Sequence, residues 1–162
     1  MFFDDVEVSA ECLLGGVEGK GLYTLMKQLP FERAQIAMGA AATMERALKL
    51  TIEYTKERQV FGKPVLDFQN TRFTLADVKA TVLASRTFCD HIIAQWINGK
   101  LDSTLASMGK FWLTVLDACL QFFGGYGYMN EYPIARMWAD ARVARIYGGT
   151  NEIQRELVGR SL

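Results

Sequence analysis

The sequence predicts an all-α protein: an antiparallel up-and-down helical bundle preceded by a short strand and linker. Apolar residues recur every three or four positions through most of the chain after residue 20, which is helical spacing. Most glycines and prolines fall in short stretches between these runs, where helices end. Half of the 162 residues are apolar, which is enough for one domain with a substantial core.

Residues 1–20 form a separate segment. Phenylalanine and valine recur among the first eight residues, and a glycine pair follows at Gly15 and Gly16. This pattern predicts a short strand and then a glycine-rich connector. Because a single strand is not independently stable, we expect the chain to begin within a larger structure.

Three long helices are predicted next. The first begins near residue 21 and ends at the Gly-Lys-Pro of residues 62–64, and its apolar spacing places on one face Ile36, Ala40, Thr43, Ala47, Leu50 and Tyr54. The second spans about 69–98. The third begins near Ser103 and continues to Phe122. It is apolar on two sides, with Leu105, Met108, Trp112, Val115, Cys119 and Phe122 on one and Leu113, Leu116, Leu120 and Phe123 on the other. Such a helix is typical of burial in a bundle or against a partner subunit, so we expect an oligomer.

Two glycine-rich stretches, QFFGGYGY at 121–128 and YGGTNEI at 147–153, precede the last two helices. Pro133 suits the first turn of the helix that follows the first stretch. Thr150 suits the N-cap of the last helix, with Glu152 in its first turn. Glycines before a helix N-terminus allow close approach of an anionic or dipolar ligand. Ordinary helix connections with glycine C-caps are equally compatible with the residues alone.

The charge balance argues against a nucleic-acid or anionic-membrane surface, since 18 basic residues face 18 acidic ones. No stretch reaches the roughly 20 apolar residues of a membrane span, and the acidic opening does not resemble a signal peptide. His91 is the only histidine, and no metal-ligand spacing occurs. An odd number of cysteines, with Cys89 and Cys119 in apolar runs, predicts buried free thiols in an intracellular, reducing compartment.

The pair QxxGGxGY and YGGTNEIQ resembles the C-terminal helical domain of the flavin-dependent acyl-CoA dehydrogenase family. Four further motifs occur earlier in the chain, in the order that the family has them: GKG at 19–21, LPFER at 29–33, RQVFG at 58–62 and FQ at 68–69. The long-chain branch is the most similar. The resemblance implies that residues 1–20 are a remnant of the family's middle β-domain with its linker. Residues 21–162 would be the helical domain, so the chain resembles a C-terminal fragment of a longer enzyme.

The family removes one hydrogen from each carbon of the α–β bond of a fatty acyl-CoA, giving trans-2-enoyl-CoA. A carboxylate takes the α-proton, and the β-hydrogen leaves as hydride to FAD. In much of the family the base follows the tyrosine of Y-x-G-T, but here that residue is Gly148. In the long-chain and isovaleryl branches the base is a glutamate before an arginine, which matches Glu32 and Arg33. Without the resemblance, the residues favour Glu32 as an ordinary first-turn residue after Pro30, where the helix dipole stabilises a carboxylate.

The resemblance implies further ligand contacts. The backbone N–H of Gly148 would bind the thioester oxygen, with Gly149, Arg33 and Tyr23 near the acyl-CoA, although Tyr23 is equally compatible with the core. An arginine such as Arg58 suits a pyrophosphate, but Arg58 is also an ordinary C-terminal helix cation. The implied FAD contacts are Arg58, Gln69, Gln121, Phe122, Phe123, Gly124, Gly125, Thr150, Asn151 and Glu152.

The resemblance also implies partners. They are an acyl-CoA substrate, further copies of the chain in a dimer or tetramer, and an electron acceptor such as electron-transfer flavoprotein. Some flavin contacts in the family reach a neighbouring subunit. The implied setting is fatty acid β-oxidation in a bacterial cytoplasm or a mitochondrial matrix. Three alternatives stay open: an isovaleryl-type enzyme, an acyl-CoA oxidase, and an isolated oligomerisation module without catalysis.

Overall fold

The computed structural model describes residues 1–112 and 115–162. The described residues form six α-helices and a two-stranded antiparallel hairpin in which Gln59 faces Pro64. The elements are α1 (Gly21–Glu57), β1 (Gln59–Val60), β2 (Lys63–Pro64), α2 (Gln69–Ile97), α3 (Ser103–Trp112), α4 (Leu116–Gln121), α5 (Pro133–Val143) and α6 (Asn151–Gly159). The all-α fold class is confirmed.

The long helix α1 is the centre of the bundle, with contacts to α2, α3, α4 and α5. Glu45 on α1 binds Arg86 on α2, and the carbonyl of Ala37 accepts a hydrogen bond from Cys89. Residue numbers therefore rise along α1 as they fall along α2, so the two helices are antiparallel. This arrangement is the up-and-down connection expected for helices joined by a short hairpin.

The core has two parts. One lies between α1, α2, α4 and α5 around Met44, Cys119 and Ile134, and the other lies between α1, α2 and α3 around Ala37 and Ile92. Burial raises the pKa of the free thiols of Cys89 and Cys119. The predicted burial of these two cysteines is confirmed.

The predicted third helix is two helices in the structure. Helix α4 begins only after Val115, whose φ of −136° and ψ of 7° are not helical. Leu113, a member of the predicted second apolar side, lies outside the described residues. Helix α3 packs on α1 and α6, whereas α4 packs on α5 and α1. A break between them lets each segment face a different part of the core.

Residues 1–20 are exposed and contain one short 3-10 turn at Ala10–Cys12, capped by the hydroxyl of Ser9. No strand forms there among the described residues, because the described chain offers no partner strand for pairing. The predicted strand is therefore absent from this described segment, and the assignment of residues 1–20 to a β-domain remnant with its linker stays a prediction. No described helix is both long and apolar enough to cross a membrane.

Candidate active site

An open cavity of about 780 Å³ lies beside α1, between that helix and α5, α3 and the start of α6. We call it the Glu32 cavity. Glu32, Ile36, Ala40 and Thr43 line it from α1, because their spacing of three and four residues places them on one helix face. The opposite wall includes Met137. The cavity thus has a mainly apolar wall that includes two carboxylates, Glu32 on α1 and Asp140 on α5.

Glu32 lies well inside α1 and is exposed at the cavity. Helix α1 begins at Gly21 and continues through Pro30, so Glu32 is not in the first turn. The interpretation of Glu32 as a first-turn residue is therefore wrong. Exposure to the cavity leaves the carboxylate accessible to a ligand there.

Arg33, the next residue, points away from the solvent and is only 6% exposed. Its Nε donates to the carbonyl oxygen of Gly148 at 3.3 Å, and its Nη1 donates to the hydroxyls of Ser103 and Ser107. Burial lowers the pKa of Arg33, and the Glu32 carboxylate opposes that shift. The guanidinium thus joins α1 to α3 and to the loop before α6. A direct contact of Arg33 with substrate stays a prediction.

The loop before α6, residues 147–150, is called here the glycine turn. Gly148 and Gly149 have φ of 65° and 91°, a region that glycine adopts without steric cost. The Gly148 carbonyl also accepts from Nε2 of the buried Gln154 at 3.2 Å, and the Gly149 carbonyl accepts from Lys110 Nζ at 2.6 Å. The N–H groups of both glycines donate to no described residue. They are therefore available to a ligand.

The start of α6 follows the sequence prediction. Thr150 is its N-cap, and the hydroxyl accepts the N–H of Ile153 at 3.4 Å. Asn151 is 9% exposed, and its Oδ1 accepts from Lys110 Nζ at 3.1 Å. Glu152 is exposed, and a hydrogen bond from its own backbone N–H lowers its pKa. Contacts of these residues with FAD stay predictions.

A second cleft, of about 500 Å³, lies at the other end of α1. We call it the Arg58 cleft. Its wall gathers Tyr54, Val60 and Val65 with most of the predicted FAD contacts, namely Arg58, Gln121, Phe122, Phe123, Gly124 and Gly125. The guanidinium of Arg58 lies 5.8 Å from the centre of the Tyr126 ring. A Cβ on Gly124 or Gly125 would meet nothing within 4 Å, so the backbone there is open to a ligand.

Seven predicted site residues line neither cavity: Arg33, Gly148, Gly149, Thr150, Glu152, Gln69 and Tyr23. The first five lie in or next to the glycine turn, whereas the last two lie elsewhere. Gln69 is exposed at the first residue of α2. Tyr23 is 60% exposed near the start of α1, with Lys20 Nζ 5.1 Å from its ring centre. Burial of Tyr23 in the core of the described chain is therefore excluded. Ligand contacts of these two residues stay predictions.

Glu32 and Arg58 lie far apart along α1, although the walls of the two cavities come within about two helical turns of each other, between Arg46 and Tyr54. Glu32 and Arg58 are separated by about 26 residues, which at 1.5 Å per residue is about 39 Å. A single ligand molecule in one copy of the chain that touched both residues would have to span that distance.

Sequence reasoning gave no role to Lys110, Gln154 or Ile36. Lys110 interrupts an apolar run on a helix predicted to be apolar on two sides, which was an available signal. Gln154 is the last residue of the YGGTNEIQ motif, and its hydrogen bond to the Gly148 carbonyl could not be read from the motif. Ile36 lies on the predicted apolar face of the first helix, and in the structure this residue lines the Glu32 cavity. Among the described residues, no group of acidic, histidine or cysteine side chains could hold a metal.

Residues 19–162 match the family described as "Acyl-CoA dehydrogenase, C-terminal domain". The chain is 44% identical to the mitochondrial long-chain specific acyl-CoA dehydrogenase of Rattus norvegicus, over all of this chain and 39% of that protein. Its fold matches an acyl-CoA dehydrogenase from Geobacillus kaustophilus with a TM-score of 0.93 and 42% identity, over 99% of this chain and 43% of that one. It also matches a Bacillus anthracis acyl-CoA dehydrogenase complexed with FAD, with a TM-score of 0.83 and 27% identity, over 88% of this chain and 29% of that one.

The fold and the matched span place the chain among helical C-terminal domains. The chain belongs to the acyl-CoA dehydrogenase family. It is similar to long-chain members, and it spans about two fifths of the length of the rat relative.

Proposed function

We propose that this chain supplies the base and the thioester-binding donors of an FAD-dependent acyl-CoA dehydrogenase that forms trans-2-enoyl-CoA. One observation carries the proposal. The Glu32 carboxylate opens into a cavity whose wall includes Ile36 and Tyr147, directly beside the glycine turn with its free N–H groups. A proton acceptor and backbone donors for a developing negative charge therefore lie close together, with Ile36 of the cavity wall against the Gly148 backbone.

Each residue has a chemical task in this proposal. A Glu32 carboxylate oxygen takes the proton from the carbon next to the thioester. The Gly148 N–H binds the thioester oxygen, where negative charge grows as the proton leaves. The apolar wall formed by Ile36, Ala40 and Met137 excludes water from the acyl chain and so strengthens both interactions.

The residues of the Arg58 cleft fit FAD. Arg58 offers a planar cation for pyrophosphate oxygens. The open backbone at Gly124 and Gly125 allows close approach of a large ligand. The FAD bound by the Bacillus anthracis relative supports the same choice. When bound, FAD supplies the acceptor for the hydride that leaves the β-carbon.

A complete site requires two copies of the chain in this proposal. Glu32 and Arg58 are separated by about 39 Å along α1. In this proposal, an FAD held by the Arg58 cleft of one copy would serve the Glu32 cavity of another. A dimer or a tetramer provides this arrangement.

The substrate is proposed to be a long-chain acyl-CoA. The glycine at position 148, the glutamate on α1 and the 44% identity to the rat long-chain enzyme support this choice. The proposed electron acceptor is an electron-transfer flavoprotein. A bacterial cytoplasm or a mitochondrial matrix is the proposed compartment.

The test uses the full-length protein that carries this chain, purified with FAD and mixed with palmitoyl-CoA without oxygen. Loss of the oxidised-flavin absorbance together with formation of the 2-enoyl product is the expected result. Butyryl-CoA and isovaleryl-CoA serve as comparisons for chain length and branching. An oxidised flavin that persists with every acyl-CoA contradicts the proposed activity.

A further inference from the structure

Lys110 is a buried cation beside the Glu32 cavity. It lies on α3, is only 5% exposed, and forms part of the cavity wall. Its ammonium donates to the Gly149 carbonyl at 2.6 Å and to Asn151 Oδ1 at 3.1 Å. No described carboxylate lies within 4.0 Å of it. Its partners are thus a backbone oxygen and an amide oxygen of the segment that starts α6.

The stability of the fold does not explain why a lysine is buried at position 110. Removing a charge from water without an opposite charge is costly, because the surrounding protein solvates it less well. Burial lowers the pKa of Lys110, and the nearby Arg33 cation lowers it further, whereas Glu152 opposes the shift. The fold therefore holds two buried cations close to each other beside one short turn.

The two cations hold consecutive carbonyls of the glycine turn. Arg33 donates to the carbonyl of Gly148, and Lys110 donates to that of Gly149. In a trans peptide the N–H points opposite to the carbonyl, so the N–H groups of Gly149 and Thr150 face away from the cations. The Gly148 N–H belongs to the preceding peptide, so the two cations act on that donor by fixing the turn that carries it.

The glycine turn needs an external constraint. Two adjacent glycines reach many backbone conformations, so their own φ and ψ preferences do not select one. A mobile turn would spread its N–H groups over several directions and weaken any stabilisation of charge, which depends on donors fixed in advance. Lys110 supplies such a constraint from a different helix.

We propose that Lys110 is a positioning residue that fixes the glycine turn so that its free N–H groups face the thioester oxygen. The inference rests on the proposed function, because it deepens the role of the same site. Lys110 acts through Gly149 and Asn151 and does not itself touch the reacting atoms.

The test compares Lys110→Met, Lys110→Arg and the control Lys49→Met in the full-length protein with FAD. Lys49 is an exposed lysine on α1. The first readout is hydrogen–deuterium exchange, without acyl-CoA, in the peptide that covers residues 147–152. We expect faster exchange there for Lys110→Met, exchange close to wild type for Lys110→Arg, and no change for Lys49→Met.

The second readout is the rate constant of flavin reduction by palmitoyl-CoA, measured together with the Kd of the acyl-CoA. Loss of fixed donors is expected to lower the rate constant of Lys110→Met by about 10²-fold with little change in Kd. Lys110→Arg should recover part of that loss. If Lys110 only stabilised the fold, the rate constant of Lys110→Arg would recover no further than its melting temperature does.

The outcomes separate the two proposals. A wild-type enzyme that is not reduced by any acyl-CoA contradicts the proposed function, while the exchange readout still tests the constraint on the turn. Wild-type exchange at residues 147–152 in Lys110→Met overturns the positioning role, as does faster exchange with an unchanged rate constant. If Lys110→Met does not fold, Lys110→Gln is judged by the same two readouts.

Discussion

The terminal methyl group of Ile36 lies 2.7 Å from the point that a Cβ on Gly148 would occupy. A real Cβ does not approach another atom this closely, so a side chain at position 148 would force the end of the Ile36 side chain to move. Ile36 follows Glu32 by one helical turn and lines the same cavity. The glycine at 148 and the carboxylate on α1 are thus two parts of one packing arrangement.

The first prediction concerns Glu32. We expect Glu32→Gln to bind FAD as the wild type does but to lose flavin reduction by acyl-CoA, by roughly 10²–10⁴-fold, because glutamine cannot accept the α-proton. Anaerobic mixing with palmitoyl-CoA measures the rate. Glu53→Gln is the matched control, since Glu53 is an exposed glutamate on the same helix. Turnover at the wild-type rate in Glu32→Gln would contradict the assignment of the base.

The second prediction concerns the position of the carboxylate. In a Glu32→Gln background, Gly148→Glu alone is not expected to restore activity, because the new side chain meets Ile36. Adding Ile36→Ala removes that obstacle and should restore part of the activity. The backbone φ of 65° at residue 148 still disfavours a side chain, by about 1–2 kcal/mol.

This prediction is checked by measuring flavin reduction by acyl-CoA in the triple variant, which carries Ile36→Ala, and in the double variant, which does not. The control is Ile36→Ala alone in the Glu32→Gln background, which offers space but no carboxylate. Equal recovery with and without the Ile36 substitution would mean that Ile36 does not exclude a carboxylate from this position.

Helix periodicity predicted most of the fold but not which face of α1 is covered. The predicted face contained Ile36, Ala40 and Thr43, and these residues line a cavity. The buried face lies beside it and includes small residues such as Ala37 and Ala41. Small apolar residues allow close helix packing, but a sequence pattern does not show which neighbour approaches which face. Which face of α1 is buried is determined by its contacts with residues that are distant in the sequence.

The partners of Lys110 and the break between α3 and α4 could not be predicted from the sequence, for a related reason. A lysine is almost always exposed, and the oxygens that hold Lys110 lie about 40 residues further along the chain. No proline or glycine lies between Trp112 and Leu116 to predict the break. By contrast, Thr150 caps α6 as predicted, because a cap depends only on adjacent residues.

The third prediction concerns the sharing of a site between copies. Glu32→Gln should lose the base, and Arg58→Ala should weaken FAD binding, so each variant alone is expected to have low activity. In a mixed dimer of the two, a shared site combines the intact Glu32 of one copy with the intact Arg58 of the other. We therefore expect coexpression of the two variants to restore part of the activity.

Flavin reduction per bound FAD in coexpressed, differently tagged variants provides the measurement. Mixed oligomers are isolated by both tags, and oligomers of each single variant are the controls. If each copy formed a site on its own, every site in the mixture would keep one defect. Activity no higher than the two controls would therefore contradict sharing between copies.

The last prediction concerns the ion pair between α1 and α2. Arg86 Nε and Nη2 donate to the two carboxylate oxygens of Glu45, each at 2.7 Å. These hydrogen bonds lower the pKa of Glu45 from its ordinary value of 4.5, more than partial burial raises it. The pair is partly exposed, so we expect Glu45→Gln to lower the free energy of unfolding by only about 0.5–1 kcal/mol at neutral pH.

The pH dependence has a defined sign. Because the folded protein holds the Glu45 carboxylate at a lowered pKa, the unfolded chain binds the proton more readily in that range, and stability rises with pH. The contribution is complete above about pH 4.5 and is lost as pH falls through the lowered folded-state pKa. Urea unfolding of wild type and Glu45→Gln across this range should give curves that converge at low pH, with Glu53→Gln as the unpaired control. A difference between the two proteins that stayed constant down to acidic pH would show that the carboxylate's charge is not its source.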